Sequence, residues 1–134
     1  MNREALRERR RERGTRGREE GRFAEALAAA WLMLKGYQIL GFRLKTPQGE
    51  IDLLARKGKT LAVVEVKRRS SVEIALQSIL PQQRERLLKA AATLASRRKA
   101  LRQLDLRLDL IALAPGRLPR HVHNIFNDLG ASKG

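Results

Sequence analysis

The stretch GEIDLLARKGKTLAVVEVK, residues 49–67, constrains the fold most. Two strand-like runs, Ile51 to Ala55 and Leu61 to Val66, flank Arg56-Lys57-Gly58-Lys59, and a Gly in a short connection signals a β-hairpin. A type II′ turn at Gly58-Lys59 sets Asp52 directly opposite Glu65. Moving the turn to Lys57-Gly58 shifts the register by two and still leaves both acids on one face. Cross-strand partners share a face of a sheet, as do side chains two apart on a strand. Glu65 and Lys67 are therefore expected to project the same way as Asp52.

Facing carboxylates repel, and an apolar strand such as Leu61-Ala62-Val63-Val64 excludes them unless something compensates. A divalent cation does so, and oxygen ligands from one or two carboxylates suit Mg²⁺. Lys67, beside the acids, could then neutralise a phosphate. The competing reading is a surface hairpin whose acids pair with Lys57, Lys59 or Lys67. The preceding Asp and the basic chain around the hairpin favour the cation.

The chain carries 29 Lys and Arg against 14 Asp and Glu, a formal net charge of +15 over 134 residues. Such an excess implies a polyanionic partner, nucleic acid before an anionic membrane surface. The length suits one domain. There is no cysteine, which excludes disulfides and cysteine-based zinc sites and fits a reducing cytoplasm. No run reaches the length of a membrane span, and the N-terminus lacks a signal-peptide core, so a cytoplasmic protein is expected.

Residues 1–21 alternate Arg and Glu among glycines and read as a basic flexible arm, with a helix open from Glu4 to Arg13. A single α/β domain is expected over residues 22–129 and a frayed end over 130–134. From Arg22 to Lys35 the pattern is helical, with Phe23, Leu27, Ala30, Trp31 and Leu34 as the expected buried stripe and Gly36 as its C-terminal cap. Glu25 is the only charge between Phe23 and Leu34. It either points at the cation site or lies at the helix start with one edge in water.

Tyr37 to Leu44 reads as a strand that completes an antiparallel meander with the hairpin. Arg68-Arg69-Ser70-Ser71 follows as a basic loop placed to touch phosphates, or simply as a solvated one. Val72 to Leu80 fits either a short helix or a loop. Pro81 opens a helix to about Arg98, with Leu87, Leu88, Ala91, Leu94 and Ala95 inward. Its first turns carry Gln82, Gln83 and Arg84, where helix N–H groups attract anions. Leu104 to Ala114 reads as a strand returning parallel to the hairpin. His121 to Phe126 reads as a last edge strand. His121 and His123 share a face, but no third metal ligand is evident nearby in the sequence.

Asp52 followed by Glu65-Val66-Lys67, with Glu25 on a preceding helix, resembles the PD-(D/E)XK nucleases. Within that superfamily the segments Gly49 to Ala55 and Val64 to Arg69 are similar to the YraN family, related to Holliday junction resolvases. Gly21 to Ala26, Gly36-Tyr37, Arg107 to Ile111 and His123 to Phe126 extend the similarity over nearly the whole chain after the arm. The resemblance implies a restriction-endonuclease-like α/β core, a central mixed sheet with an antiparallel meander and a parallel strand, flanked by helices.

It further implies Asp52, Glu65 and the Val66 carbonyl as ligands of Mg²⁺ or Mn²⁺, Lys67 as the catalytic lysine and Glu25 as an auxiliary acid. Arg68, Arg69, Gln82, Gln83 and Arg84 are then the expected nucleic-acid contacts. Ile51 stands where the signature has Pro, and Gly41-Phe42-Arg43-Leu44 lacks an expected Asn. The function implied is a metal-dependent, structure-selective DNA endonuclease acting on branched or junction DNA, with a symmetric homodimer as one form and no small-molecule cofactor. The alternative is a non-catalytic nucleic-acid-binding module or accessory protein with the same fold.

Overall fold

The computed structural model of the chain describes residues 21–125. Most of the expected arm and all of the expected frayed end lie outside these residues, as do Phe126 and the proposed helix from Glu4 to Arg13. Gly21, assigned to the arm, is already helical.

Helix α1 covers residues 21–34, and strands β1 (Gln38–Thr46), β2 (Gly49–Lys57) and β3 (Thr60–Arg68) follow. Helices α2 (Val72–Gln77) and α3 (Pro81–Arg97) and a 3₁₀ turn (Lys99–Leu101) lead to β4 (Asp105–Leu113) and β5 (Arg120–Val122). The five strands form one sheet in sequence order, antiparallel except for the β3–β4 pair. This is the expected mixed α/β sheet. The parallel pair follows from the long crossover through α2 and α3, because a chain leaving one edge of a sheet must return before it can pair again.

A helix lies on each face. On one side Ile51, Leu54, Leu61, Val63, Leu108 and Leu110 pack with Leu87, Ala90 and Ala91 of α3. On the other side Leu53, Ala55, Ala62, Val64 and Ile111 pack with Ala24, Ala28, Ala29 and Leu32 of α1. The small residues of α1 let its backbone come close to the sheet, and this overturns the expected orientation of the helix. The stripe assigned to the core faces outward instead, with Phe23 65% and Leu34 82% exposed.

The ends of α1 and β2 behave as the sequence suggests. Gly36 has φ +92°, its N–H donates to Met33 O, and Tyr37 N–H donates to Leu32 O. This paired closure is the Schellman arrangement, which requires a left-handed residue. Gly58 has φ +59°, and Lys57 pairs with Thr60, so Gly58-Lys59 is the hairpin turn. The undecided segment after β3 is helical because the Ser71 hydroxyl caps it, accepting from Ile74 N at 3.2 Å.

Candidate active site

The β2–β3 ladder runs from Lys57–Thr60 to Leu53–Val64 and stops there. Beyond it, residues 49–51 of β2 stay paired with β1, while residues 65–68 of β3 stay paired with β4. The sheet therefore forks. Extending the register by one step sets Asp52 level with Glu65 at the crotch, as the hairpin turn requires. Strict alternation in β2 also breaks at Asp52, since Ile51 joins Leu54 in the α3-side core while Leu53 and Ala55 join the α1-side core.

A forked sheet leaves backbone groups without ladder partners, and such groups must be satisfied when buried. Asp52 meets one of them: its Oδ2 accepts from Val66 N at 3.0 Å. In extended backbone the N–H and C=O of one residue point to the same side, so the Val66 carbonyl faces the fork as well. Lys67 Nζ lies 3.3 Å from Glu65 Oε1. The Asp52 and Glu65 side chains line the same recess, near enough for the charge of one to act on the other.

Burial and the neighbouring Asp52 charge push Glu65 up to about 7, against the pull of Lys67. Burial also raises Asp52, opposed by the Val66 N–H and the charge of Lys67.

Glu25 enters from α1 with its side chain 12% exposed, and Arg43 Nε donates to its Oε1 at 2.6 Å. Burial raises its pKa, and Arg43 opposes this. Arg43 lies opposite Asp52, between the Phe42–Leu53 and Leu44–Ile51 partners, and adopts φ +48°. A non-glycine residue in this left-handed region within a strand is strained. That conformation accompanies a guanidinium directed to Glu25. Sequence reasoning overlooked Arg43, and only the missing partner for Glu25 could have pointed to it.

Glu25, Asp52, Glu65, Val66 and Lys67 line one recess of about 380 Å³, with Arg68 and Arg69 on its rim. The proposed acids and the basic loop are thus brought together. Gln82 and Gln83, at the start of α3, do not line it. Arg84 has a different place from the one expected. It is only 7% exposed, and its guanidinium donates to the carbonyls of Leu76, Ile79 and Ile125. A side chain committed to three backbone acceptors in the interior clamps α2, α3 and the segment after β5, and is not a phosphate contact.

A second polar cluster went unread in the sequence. Asp109, fully buried on β4, accepts from Arg107 Nε and Nη2 at 2.8 Å each, from His121 Nε2 at 2.8 Å and from Asn124 N at 2.9 Å. Burial would raise its pKa, but these donors outweigh it and hold Asp109 at about 2. Asp109 also supplies the third ligand type that the sequence seemed to lack beside His121 and His123. A lysine ammonium already fills the gap, with Lys35 Nζ 2.6 Å from His121 Nδ1 and 3.4 Å from His123 Nε2. Lysine only donates, so Nδ1 accepts and Nε2–H donates to Asp109. This is a staple joining α1, β4 and β5. The alternation of Asp105, Arg107 and Asp109 with leucines was its signal.

A model of the uncharacterised protein family UPF0102 matches residues 24–113. The chain belongs to this family. A UPF0102 protein of Caulobacter vibrioides (strain NA1000 / CB15N) is 64% identical over 113 residues, covering 84% of this chain and 90% of the relative. One from Parvibaculum lavamentivorans is 50% identical over 99 residues, covering 74% of each. One from Maricaulis maris is 50% identical over 101 residues, covering 75% of this chain and 80% of the relative. The UPF0102 match takes in Glu25, Arg43, the whole fork and Asp109, and ends before His121. Among the described residues no helix is long and apolar enough to cross a membrane.

Proposed function

We propose that this UPF0102 chain is a metal-dependent endonuclease that hydrolyses phosphodiester bonds in nucleic acid, with branched or junction DNA as the leading substrate. The observation that carries the reading is the meeting of Asp52, Glu65 and Lys67 in one recess at the fork, with Asp52 tied to Val66 N–H and Lys67 to Glu65. Two largely buried acids side by side form a poor structural element, but a fitting pair of ligands for a cation.

The donors fit a hard cation. Asp52 and Glu65 offer carboxylate oxygens, the Val66 carbonyl faces the same gap, and no sulfur or imidazole of the described residues lines the recess. Mg²⁺ or Mn²⁺ bound there would stabilise charge developing on a phosphate and acidify a water. The protein's own contributions are separable. The Asp52 bond to Val66 N fixes one carboxylate across the fork. Lys67, 3.3 Å from Glu65, would place a positive charge beside a bound phosphate. Glu25, held by Arg43, keeps a third carboxylate within the recess. Arg68 and Arg69 on the rim complement the substrate backbone.

The test is cleavage of end-labelled four-way junctions, flaps, single strands and duplex in Mg²⁺, Mn²⁺ or EDTA. Wild type should cut in the presence of metal, and Asp52→Asn and Lys67→Ala should each lose most of that activity. Salt-sensitive binding without cutting in any metal would instead identify a non-catalytic module on the same basic surface.

A further inference from the structure

Beside the fork lies a second and larger cavity of about 690 Å³, between α1 and the loops that follow β3 and β4. Its apolar wall includes Phe23, Leu27, Leu113 and Pro115, its basic residues are Arg68, Arg69 and Arg117, and among the described residues no carboxylate lines it. Ala24, Arg68 and Arg69 line both this cavity and the acid recess, so the two adjoin. Phe23 and Leu27 belong to the α1 face that the sequence assigns to the core, and they remain 65% and 42% exposed.

We infer that this cavity receives an unpaired nucleotide of the substrate, next to the phosphate presented to the fork. The inference rests on the nuclease reading and names its substrate class. A volume of this size is in the range of small-molecule pockets, about 300–1,000 Å³. An exposed aromatic ring flanked by guanidinium groups is the usual combination for single-stranded nucleic acid, where the ring stacks on a base and the cations follow the backbone. A base within a duplex is stacked and paired on both sides and cannot enter a pocket without being extruded. The arrangement therefore favours flaps, gaps and unpaired junction arms over continuous duplex. The charge pattern selects this occupant, because Arg69 and Arg117, with no carboxylate among the described lining residues, complement a polyanion and not a second copy of a strongly basic chain.

The experiment is equilibrium binding of the full-length protein in EDTA, read by anisotropy, to a labelled flap and to a blunt duplex. 2-Aminopurine at the first unpaired position of the flap reports stacking. Wild type should prefer the flap and quench the probe. Phe23→Ala should weaken flap binding by about tenfold, remove the quenching and leave duplex binding and the melting temperature unchanged. Phe23→Trp should restore the quenching, and Arg117→Ala should weaken flap binding without restoring fluorescence.

Equal affinity of wild type and Phe23→Ala for the flap, or unchanged quenching, would overturn the inference. So would a change from dimer to monomer in Phe23→Ala by sedimentation, which would make this face a contact between copies. The assay involves no cleavage. Flap preference in a protein that cuts nothing would overturn the nuclease reading alone, and cleavage without a Phe23-dependent flap preference would overturn this one alone.

Discussion

The backbone N–H of Val66 donates to Asp52 Oδ2 at 3.0 Å across the point where β2 and β3 part. One side chain thus closes the fork and occupies the acid recess. The two roles separate by substitution. In Asp52→Asn the carboxamide oxygen can still accept from Val66, so stability should change little while cation binding is lost. Asp52→Ala leaves the N–H without this partner and should cost about 1–3 kcal/mol in urea unfolding.

Glu65 titrates at about 7 in the folded protein, against an ordinary value of 4.5. A carboxyl raised on folding contributes stability that is fully present below its unfolded pKa and is lost as pH rises through its folded pKa. Wild type should therefore lose stability between about pH 4.5 and 7, by an amount on the order of 2 kcal/mol, relative to Glu65→Gln. Mg²⁺ at millimolar concentration should reverse the loss at pH 8 in wild type and have no such effect in Glu65→Gln. Unfolding curves across pH, with and without the metal, read both effects.

Arg43 combines a strained φ of +48° with the ion pair to Glu25. Glycine relieves the strain and alanine does not, while both remove the pair. Arg43→Gly should accordingly be more stable than Arg43→Ala by about 1 kcal/mol, and both should lower cleavage to a similar extent. Denaturation midpoints and single-turnover rates separate the backbone effect from the charge effect.

Arg84 and Arg69 should behave in opposite ways. Arg84→Ala strips three buried carbonyls of their donor and should destabilise by about 2–4 kcal/mol. The fraction that remains folded should bind nucleic acid normally. Arg69→Ala, on the rim of the recess, should leave the melting temperature unchanged and reduce the slope of log K against log salt by about 1. Thermal melts and salt titrations check the pair.

The hairpin was legible because its signals are local. Gly58 needs a left-handed conformation, the turn sets the register, and period two then sets Asp52 level with Glu65 and on the side of Lys67. The meander and the parallel return of β4 follow from the same reasoning. The orientation of α1 was misread because Phe23, Leu27 and Leu34 outweigh alanine in any reading of hydrophobicity. A close helix–sheet approach instead selects the small residues Ala24, Ala28 and Ala29. Arg84 looked like an anion contact because nothing local marks the carbonyls of Leu76, Ile79 and Ile125 as its partners. Asp109 shows its link to Arg107 in the alternation of β4, but its contacts to His121 and Asn124, like that of Arg43 to Glu25, are distant in sequence and periodicity does not report them.

The central claim is that the acids of the fork hold a divalent cation. Calorimetric titration of the full-length protein with Mn²⁺ at pH 7, in two buffers of different ionisation enthalpy, tests it most directly. Saturable binding with proton release, lost in Asp52→Asn and in Glu65→Gln, is the predicted result. Mn²⁺ binding unaffected by either substitution, or no saturable binding in wild type, would contradict it.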